Sequence, residues 1–165
     1  MTMTMTIIRA AYICGNMTGK PFHNIPMFDA MAAQLRAAGI GKVINPAEIS
    51  RAVGLDPLRP WEEYFAADQK ALGELHDEFG DSVISVELPH TLNSRGVVQE
   101  RALFVHWRWP RVWMFEGFIP WLFDGNLGPE TLVAITAAAP LACKRYAELL
   151  AEAEQEINNV QDNRT

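Results

Sequence analysis

The chain has 165 residues, 49% of them hydrophobic and 21% charged, the balance of a globular protein with room for one proper core. Its formal net charge of -6 argues against binding nucleic-acid polymers, which calls for a basic face. The most apolar stretch, Val112 to Phe123, contains Glu116 and is too short to span a bilayer, so no membrane partner is expected.

In chain order, residues 1–6 alternate Met and Thr and read as a frayed leader, without the basic start and long apolar run of a signal peptide. Ile7 to Cys14 is a β-branched apolar run, the expected first strand. Gly15 to Pro21 is a loop bracketed by glycines. From Pro26 to Ala38 the apolar residues Met27, Ala30, Met31, Leu35 and Ala38 follow a helical period, stopped by Gly39. Lys42 to Pro46 reads as a short strand broken by Pro46, and Ala47 to Pro60 as loop with room for one helical turn. Trp61 to His76 forms an amphipathic helix on Trp61, Tyr64, Phe65, Asp68, Ala71, Leu72 and Leu75. A turn is expected over 77–81, a third strand over Val83–Leu88, a helix over Val97–Val105 and a fourth strand over Arg111–Phe115. Thr131–Ala138 and Leu141–Asn158 read as helices separated by Pro140. Tyr146, Leu149, Leu150, Ala153 and Ile157 make a helical stripe that core packing would satisfy. The expected organisation is a leader (1–6), one domain (7–158) and a flexible tail (159–165).

Alternating strands and helices imply a three-layer α/β fold with a mostly parallel sheet. Ligands of such sheets bind beyond the carboxyl ends of the strands, at the switch point. The turns at 15–19 and 93–96 both follow strands and would border such a crevice. Cys14 and Cys143 show neither metal nor disulfide spacing, and a reduced, cytoplasmic setting fits. His23 and His90 lack ligand spacing as well, so no metal and no cofactor are expected. Eight aromatic residues lie between Phe104 and Phe123, more than one short strand can bury. They leave two readings open, a subunit interface or a local core under the C-terminal helices.

The stretch Asn93 to Glu100 reads as a capped helix start, with Asn93 or Ser94 as N-cap. Gly96 and Glu100 share a face, so the carboxylate would project over a residue without a side chain. Free N–H groups at the helix start favour an anion, and Glu100 one turn inside would reach the sugar carbon of a ligand anchored there. The alternative is an exposed helical glutamate.

Six motifs occur in order: Tyr12-x-x-Gly15-x-Met17-Thr18-Gly19, Asn24-x-Pro26-x-Phe28, Val43-x-Asn45-Pro46-Ala47-Glu48, Trp61-x-x-Tyr64-x-x-x-Asp68, Leu88-Pro89 and Ser94-x-Gly96-x-x-x-Glu100. Together they resemble the nucleoside 2-deoxyribosyltransferase-like superfamily, closest to a phage- and prophage-associated branch of largely unassigned activity. The resemblance covers roughly residues 7–105. It implies a flavodoxin-like fold, an N-glycosidic bond as target, a small nucleoside or nucleotide as substrate, and a homodimer or larger assembly that completes the site. Carried over, Glu100 matches the glutamate that acts at C1′, and Tyr12 the tyrosine that orients it. Gly15, Asn16, Met17 and Gly19 fall in the first ligand-binding loop with Asn24 just after it, and Ser94 and Gly96 in the second. Where transferases often carry aspartate six residues before the glutamate, Ser94 matches the hydrolases of nucleoside 5′-monophosphates. Asp81 is the nearest candidate for the aspartate that begins the third strand, yet it stands about two residues too far from Leu88-Pro89, and an ordinary turn residue is the competing reading. Asp68 reads either as a helix-surface acid, the favoured reading, or as a member of the site. Asn16 and His90 replace residues usual in the family, which keeps open a non-catalytic nucleotide-binding protein and, through the aromatic segment, a protein-interaction module.

Overall fold

A computed structural model describes residues 7–54 and 60–164; the leader expected over 1–6 lies outside them, as do residues 55–59 of the expected loop. The first strand, β1 (Ala10–Cys14), is fully buried and has a neighbouring strand on each side. It leads to α1 (Ile25–Ala37), with Pro26 in its first turn, and then to β2 (Lys42–Ile44). Next come α2 (Pro46–Val53), α3 (Trp61–Phe79), β3 (Val83–Glu87), α4 (Arg95–His106), β4 (Arg111–Phe115), β5 (Ile119–Asp124), α5 (Pro129–Ala137) and α6 (Ala139–Asp162).

The strands lie in the order β2-β1-β3-β4-β5. All pairs are parallel except β4 with β5, which form an antiparallel hairpin at the edge. This is the flavodoxin-like order, with its switch point between β1 and β3. The chain leaves β1 toward β2 on one side and β3 toward β4 on the other, so the loops after β1 and β3 flank one crevice. Helices cover both faces, giving a three-layer α/β sandwich. On one face Ala11, Ile13, Ile84, Val86, Val112 and Met114 pack with α1, α5 and α6. On the other, Ala10, Tyr12, Cys14 and Val83 pack with Leu72 and Leu75 of α3 and Val97 and Phe104 of α4. No described helix is long and apolar enough to cross a membrane.

Four elements differ from the sequence expectation. Residues 46–53 are a helix rather than loop: Asn45 caps it, its side chain accepting from the Ala47 N–H at 2.9 Å, and Pro46 sits in the first turn, where its missing N–H is harmless. Helix α3 continues through the expected turn to Phe79 and stops at Gly80, whose φ of 52° suits glycine. Strand β5 was not expected; Pro120 within it is tolerated because β5 is an edge. Helix α6 runs to Asp162, four residues past the expected end and into the stretch read as a tail.

The C-terminal elements are tied to α1 by one buried polar side chain. Gln34 Nε2 donates to the carbonyls of Phe118 at 2.9 Å and Ile135 at 2.7 Å. Gln34→Leu removes both bonds and leaves the Ile135 carbonyl with only the Ala138 N–H at 3.2 Å, so we expect it to destabilise the protein by about 1–3 kcal/mol. Urea unfolding should show a lower midpoint with an unchanged m-value; an unchanged midpoint would refute the assignment.

Candidate active site

The site grows from β1 outward. Tyr12 lies in mid-strand with no solvent exposure, its ring 5.8 Å from that of Phe104 on α4. Its hydroxyl donates to Glu100 Oε1 at 2.8 Å. Glu100 stands on the buried line of α4, between Val97 and Phe104, and is 6% exposed. Burial pushes its carboxyl up to about 7, while donation from the Tyr12 hydroxyl and the Cys14 thiol pulls the other way. Cys14, two residues after Tyr12, points to the same face of β1, and burial and then the Glu100 charge push its thiol up. Tyr12 is raised for the same reasons and stays neutral.

A second carboxyl lies beside the first. Asp68 on α3 is pushed up to about 8, by burial and then by the charge of Glu100. Its Oδ1 is buried without a hydrogen-bond partner among the described residues. Two acids raised to about 7 and about 8 and coupled to each other hold roughly one proton between them near neutral pH. The signal for Asp68 was present in the sequence: an acid in the apolar line Trp61, Phe65, Asp68, Leu72 and Leu75 of one helix. Sequence reasoning favoured the surface over the site for this residue, and the structure favours the site.

The start of α4 carries the rest of the site. Ser94 is the N-cap, its Oγ accepting from the Val97 N–H at 3.3 Å, so its hydroxyl proton stays free to donate elsewhere. One turn before Glu100, Gly96 faces α3: a Cβ there would sit 3.5 Å from the Trp61 ring and 3.6 Å from the Phe65 ring. Trp61 and Phe65 stack with centroids 4.7 Å apart, and the Arg95 guanidinium lies 4.7 Å over Trp61. Gly96 therefore admits an aromatic pair from α3 next to the carboxyls.

The loops after β1 and β3 meet. The Leu88 N–H donates to the Cys14 carbonyl at 2.9 Å, and Lys20 Nζ to the His90 carbonyl at 3.0 Å. Gly15 lets the loops close at this seam: a Cβ there would lie 2.9 Å from Leu88 Cδ1, so any side chain would need Leu88 to shift. Asn16 is buried, and its side-chain oxygen accepts from the Leu92 N–H. Asn24 Nδ2 donates to the Asn16 carbonyl at 3.0 Å, bracing a turn in which Phe22, His23 and Asn24 all hold left-handed φ. Met17 turns toward α2, its sulfur 3.7 Å from Ser50 Oγ, and Gly19 is exposed with φ 78°. The Arg101 guanidinium bonds Glu87 Oε1 at 2.7 Å and also Asn93, fixing α4 to the end of β3.

Of the residues singled out in the sequence, Tyr12 and Glu100 are in contact, Gly15, Asn16, Met17, Gly19 and Asn24 form the first loop, and Ser94 and Gly96 begin α4. Asp81 is not brought to them. It is exposed and precedes β3, at the opposite end of the sheet, about 15 Å away at about 3.3 Å per strand residue. Among the described residues, no group of three or more metal-binding side chains converges.

Residues 9–103 match the family described as Domain of unknown function (DUF4406), and the chain belongs to that family. The match contains every residue of the site and ends within α4, before the β4–β5 hairpin and the C-terminal helices. No curated protein and no solved structure matches the chain.

The raised acids have a signed consequence for stability. Asp68 holds its proton in the folded state to about pH 8 but loses it near 3.8 when unfolded, so this group makes stability fall as pH rises through that window. Asp68→Asn removes the effect. Its stability relative to the parent protein should rise by on the order of 3 kcal/mol between pH 5 and pH 8, at about 1.4 kcal/mol per pH unit. Chemical denaturation at the two pH values measures this, and an equal difference at both would show that Asp68 ionises normally.

Proposed function

We propose that the Glu100 site breaks the N-glycosidic bond of a (deoxy)nucleoside or its 5′-monophosphate, as a hydrolase or a deoxyribosyltransferase. The observation that carries this reading is the carboxyl pair, buried Glu100 held by Tyr12 at 2.8 Å with half-buried Asp68 alongside. Cleavage needs both forms of a carboxyl at once: an anion for the sugar carbon and an acid for the departing base. Glu100, whose Oε1 accepts from the Tyr12 hydroxyl, supplies the anion, and Asp68, whose buried Oδ1 has no such donor, supplies the acid.

In the first step the C1′–N bond breaks, and its electron pair leaves with the base, which takes the Asp68 proton. Glu100 stabilises the positive charge at C1′ or bonds to it as a glycosyl ester. Water, or a second base, then attacks C1′ and gives its proton to the Asp68 carboxylate. The ordered motifs of the sequence support this assignment, including Tyr12 and Glu100, which lie 88 positions apart and meet. Trp61 and Phe65, next to Gly96, offer aromatic rings for a base to stack on once Arg95 swings off Trp61. Ser94 and Arg95 offer donors to a 5′-phosphate at the start of α4. Because Glu100 is 6% exposed, entry requires the side chains of α3 above it to move aside.

A second reading is a non-catalytic nucleotide-binding protein. The closed state of Glu100 and the engagement of Asn16 in the loop seam favour it.

Incubation with a panel of nucleosides and nucleoside 5′-monophosphates, with chromatography of the free base, separates the two. Turnover should follow a bell-shaped pH profile, falling below about 7 as Glu100 gains a proton and above about 8 as Asp68 loses one. Glu100→Gln should reduce base release by at least about 100-fold, the scale of a lost acid–base group. Folded protein that releases no base across the panel, yet is thermally stabilised by one of its members equally well with Glu100→Gln, would establish the binding protein instead.

A further inference from the structure

Helix α6 outruns the helix it packs on. It has 24 residues against the 13 of α1, about 36 Å against about 20 Å at about 1.5 Å per residue. Its first turns are seated: Ala139 and Ala142 are buried, and Tyr146 meets the Phe118 ring edge-on at 5.9 Å. Beyond Ala153 every described residue of α6 is exposed. The apolar stripe does not stop there. Tyr146, Leu150, Ala153, Ile157 and Val160 alternate steps of four and three, the spacing of a coiled-coil seam with Leu150 and Ile157 at a and the others at d. Ile157 and Val160 are 47% and 51% exposed.

This end of α6 forms one wall of a groove of about 610 Å³. The other wall is the start of α1, with Pro26, and the turn before it, where left-handed φ at Phe22, His23 and Asn24 places Phe22 on the groove. Acids flank the seam. Glu154 follows the d residue Ala153 and Glu156 precedes the a residue Ile157, so they stand on opposite sides of the stripe, at e and g. Neither makes an ion pair among the described residues, whereas Glu152 has Arg145 at 3.7 Å and Asp29 has Arg51 at 3.0 Å. The carbonyl end of α6 adds negative potential, with no basic residue in its last turn.

We propose that this groove docks an amphipathic helix of another protein, with an apolar seam of its own and lysine or arginine on both flanks. The seam supplies register: Ile157 and Val160 present the a and d positions of one further heptad after α1 has ended. The flanks choose the partner. Two copies of α6 packed antiparallel would set Glu154 against Glu154 and Glu156 against Glu156, so like charges oppose a second copy, and basic flanks pair with both. The surface is independent of the chemistry assigned to Glu100.

The probe is a fluorophore-labelled synthetic peptide of about three heptads, with leucine at a and d and lysine at e and g, used below its own association concentration. Anisotropy titration against the full chain should give saturable one-to-one binding. Ile157→Glu, at a half-exposed position where folding is not at risk, should weaken it at least about tenfold with the circular dichroism unchanged. A chain carrying both Glu154→Lys and Glu156→Lys should lose the lysine peptide by a similar factor. It should gain the matching peptide with glutamate at e and g, which the parent chain does not bind. Because that variant is still negative overall, the gain reads the seam and not the total charge. Trp121→Glu on the β4–β5 hairpin should change nothing. Absence of binding by the lysine peptide overturns the proposal. Binding that survives Ile157→Glu or the double reversal also overturns it, being attraction to the net charge of -6. A parent chain that self-associates and becomes monomeric with Ile157→Glu gives the groove to a second copy and overturns it too.

Discussion

The hydrogen bond from Tyr12 to Glu100 is the constraint on which the arrangement depends. Removing a carboxylate from water costs far more than one hydrogen bond returns, so the group is tolerated only with donors aimed at it or with its proton retained. Both occur here. The hydroxyl comes from the central strand, which holds Tyr12 between two helices with no freedom to turn away. Burial raises the carboxyl until gaining or losing a proton costs little near neutral pH. Asp68 then has to titrate in the field of Glu100, which adds to burial in raising it.

The fold supplies this geometry through the switch point. Because β1 and β3 are neighbours whose chains leave in opposite directions, the loops that follow them share one edge. The seam between the loops consists of main-chain and amide bonds: Leu88 to Cys14, Leu92 to Asn16, Asn24 to Asn16. Such bonds fix where α4 begins, and the start of α4 fixes where Glu100 falls. Asn16 therefore acts on the site as a brace, a role different from the ligand contact that its place in the loop implies. Gly15 and Gly96 are the two positions where a missing side chain lets one element approach another, Leu88 at the seam and the α3 aromatics at the helix start.

Much of this was legible in the sequence, because apolar runs and helical periods are local. The strands around Tyr12, Val43, Ile84 and Val112 and the helices from Pro26, Trp61 and Val97 stand where their patterns place them. Elements were missed where one residue type has two meanings. Pro46 ends a strand and also opens a helix, and only the bond of Asn45 to the Ala47 N–H decides between them. Pro120 argues against a strand unless the strand is an edge, which is a property of the sheet and not of the segment. Asp68 was missed for another reason. An acid on an apolar stripe is an anomaly that local reasoning resolves by moving it to solvent, and its partner lies 32 positions away on a different helix. Asp81 was named as the nearest candidate for a strand-start acid although its spacing to Leu88 was too long, and a residue before a parallel strand lies at the end of the sheet away from the crevice.

Helix α4 joins the two halves of the chain's behaviour. Its α3 side carries Glu100 toward Asp68, and its other flank carries Val98 and Val105 toward the open hairpin. The family match covers the first of these surfaces, while the hairpin that faces the second lies beyond it. A helix seated on one side only is held less firmly than one covered on both, because each covered face adds buried apolar contact that local opening has to break. On its inner side Arg101 anchors α4 to β3 through Glu87 and Asn93, so the position of Glu100 relative to Tyr12 rests on that contact and on the loop seam.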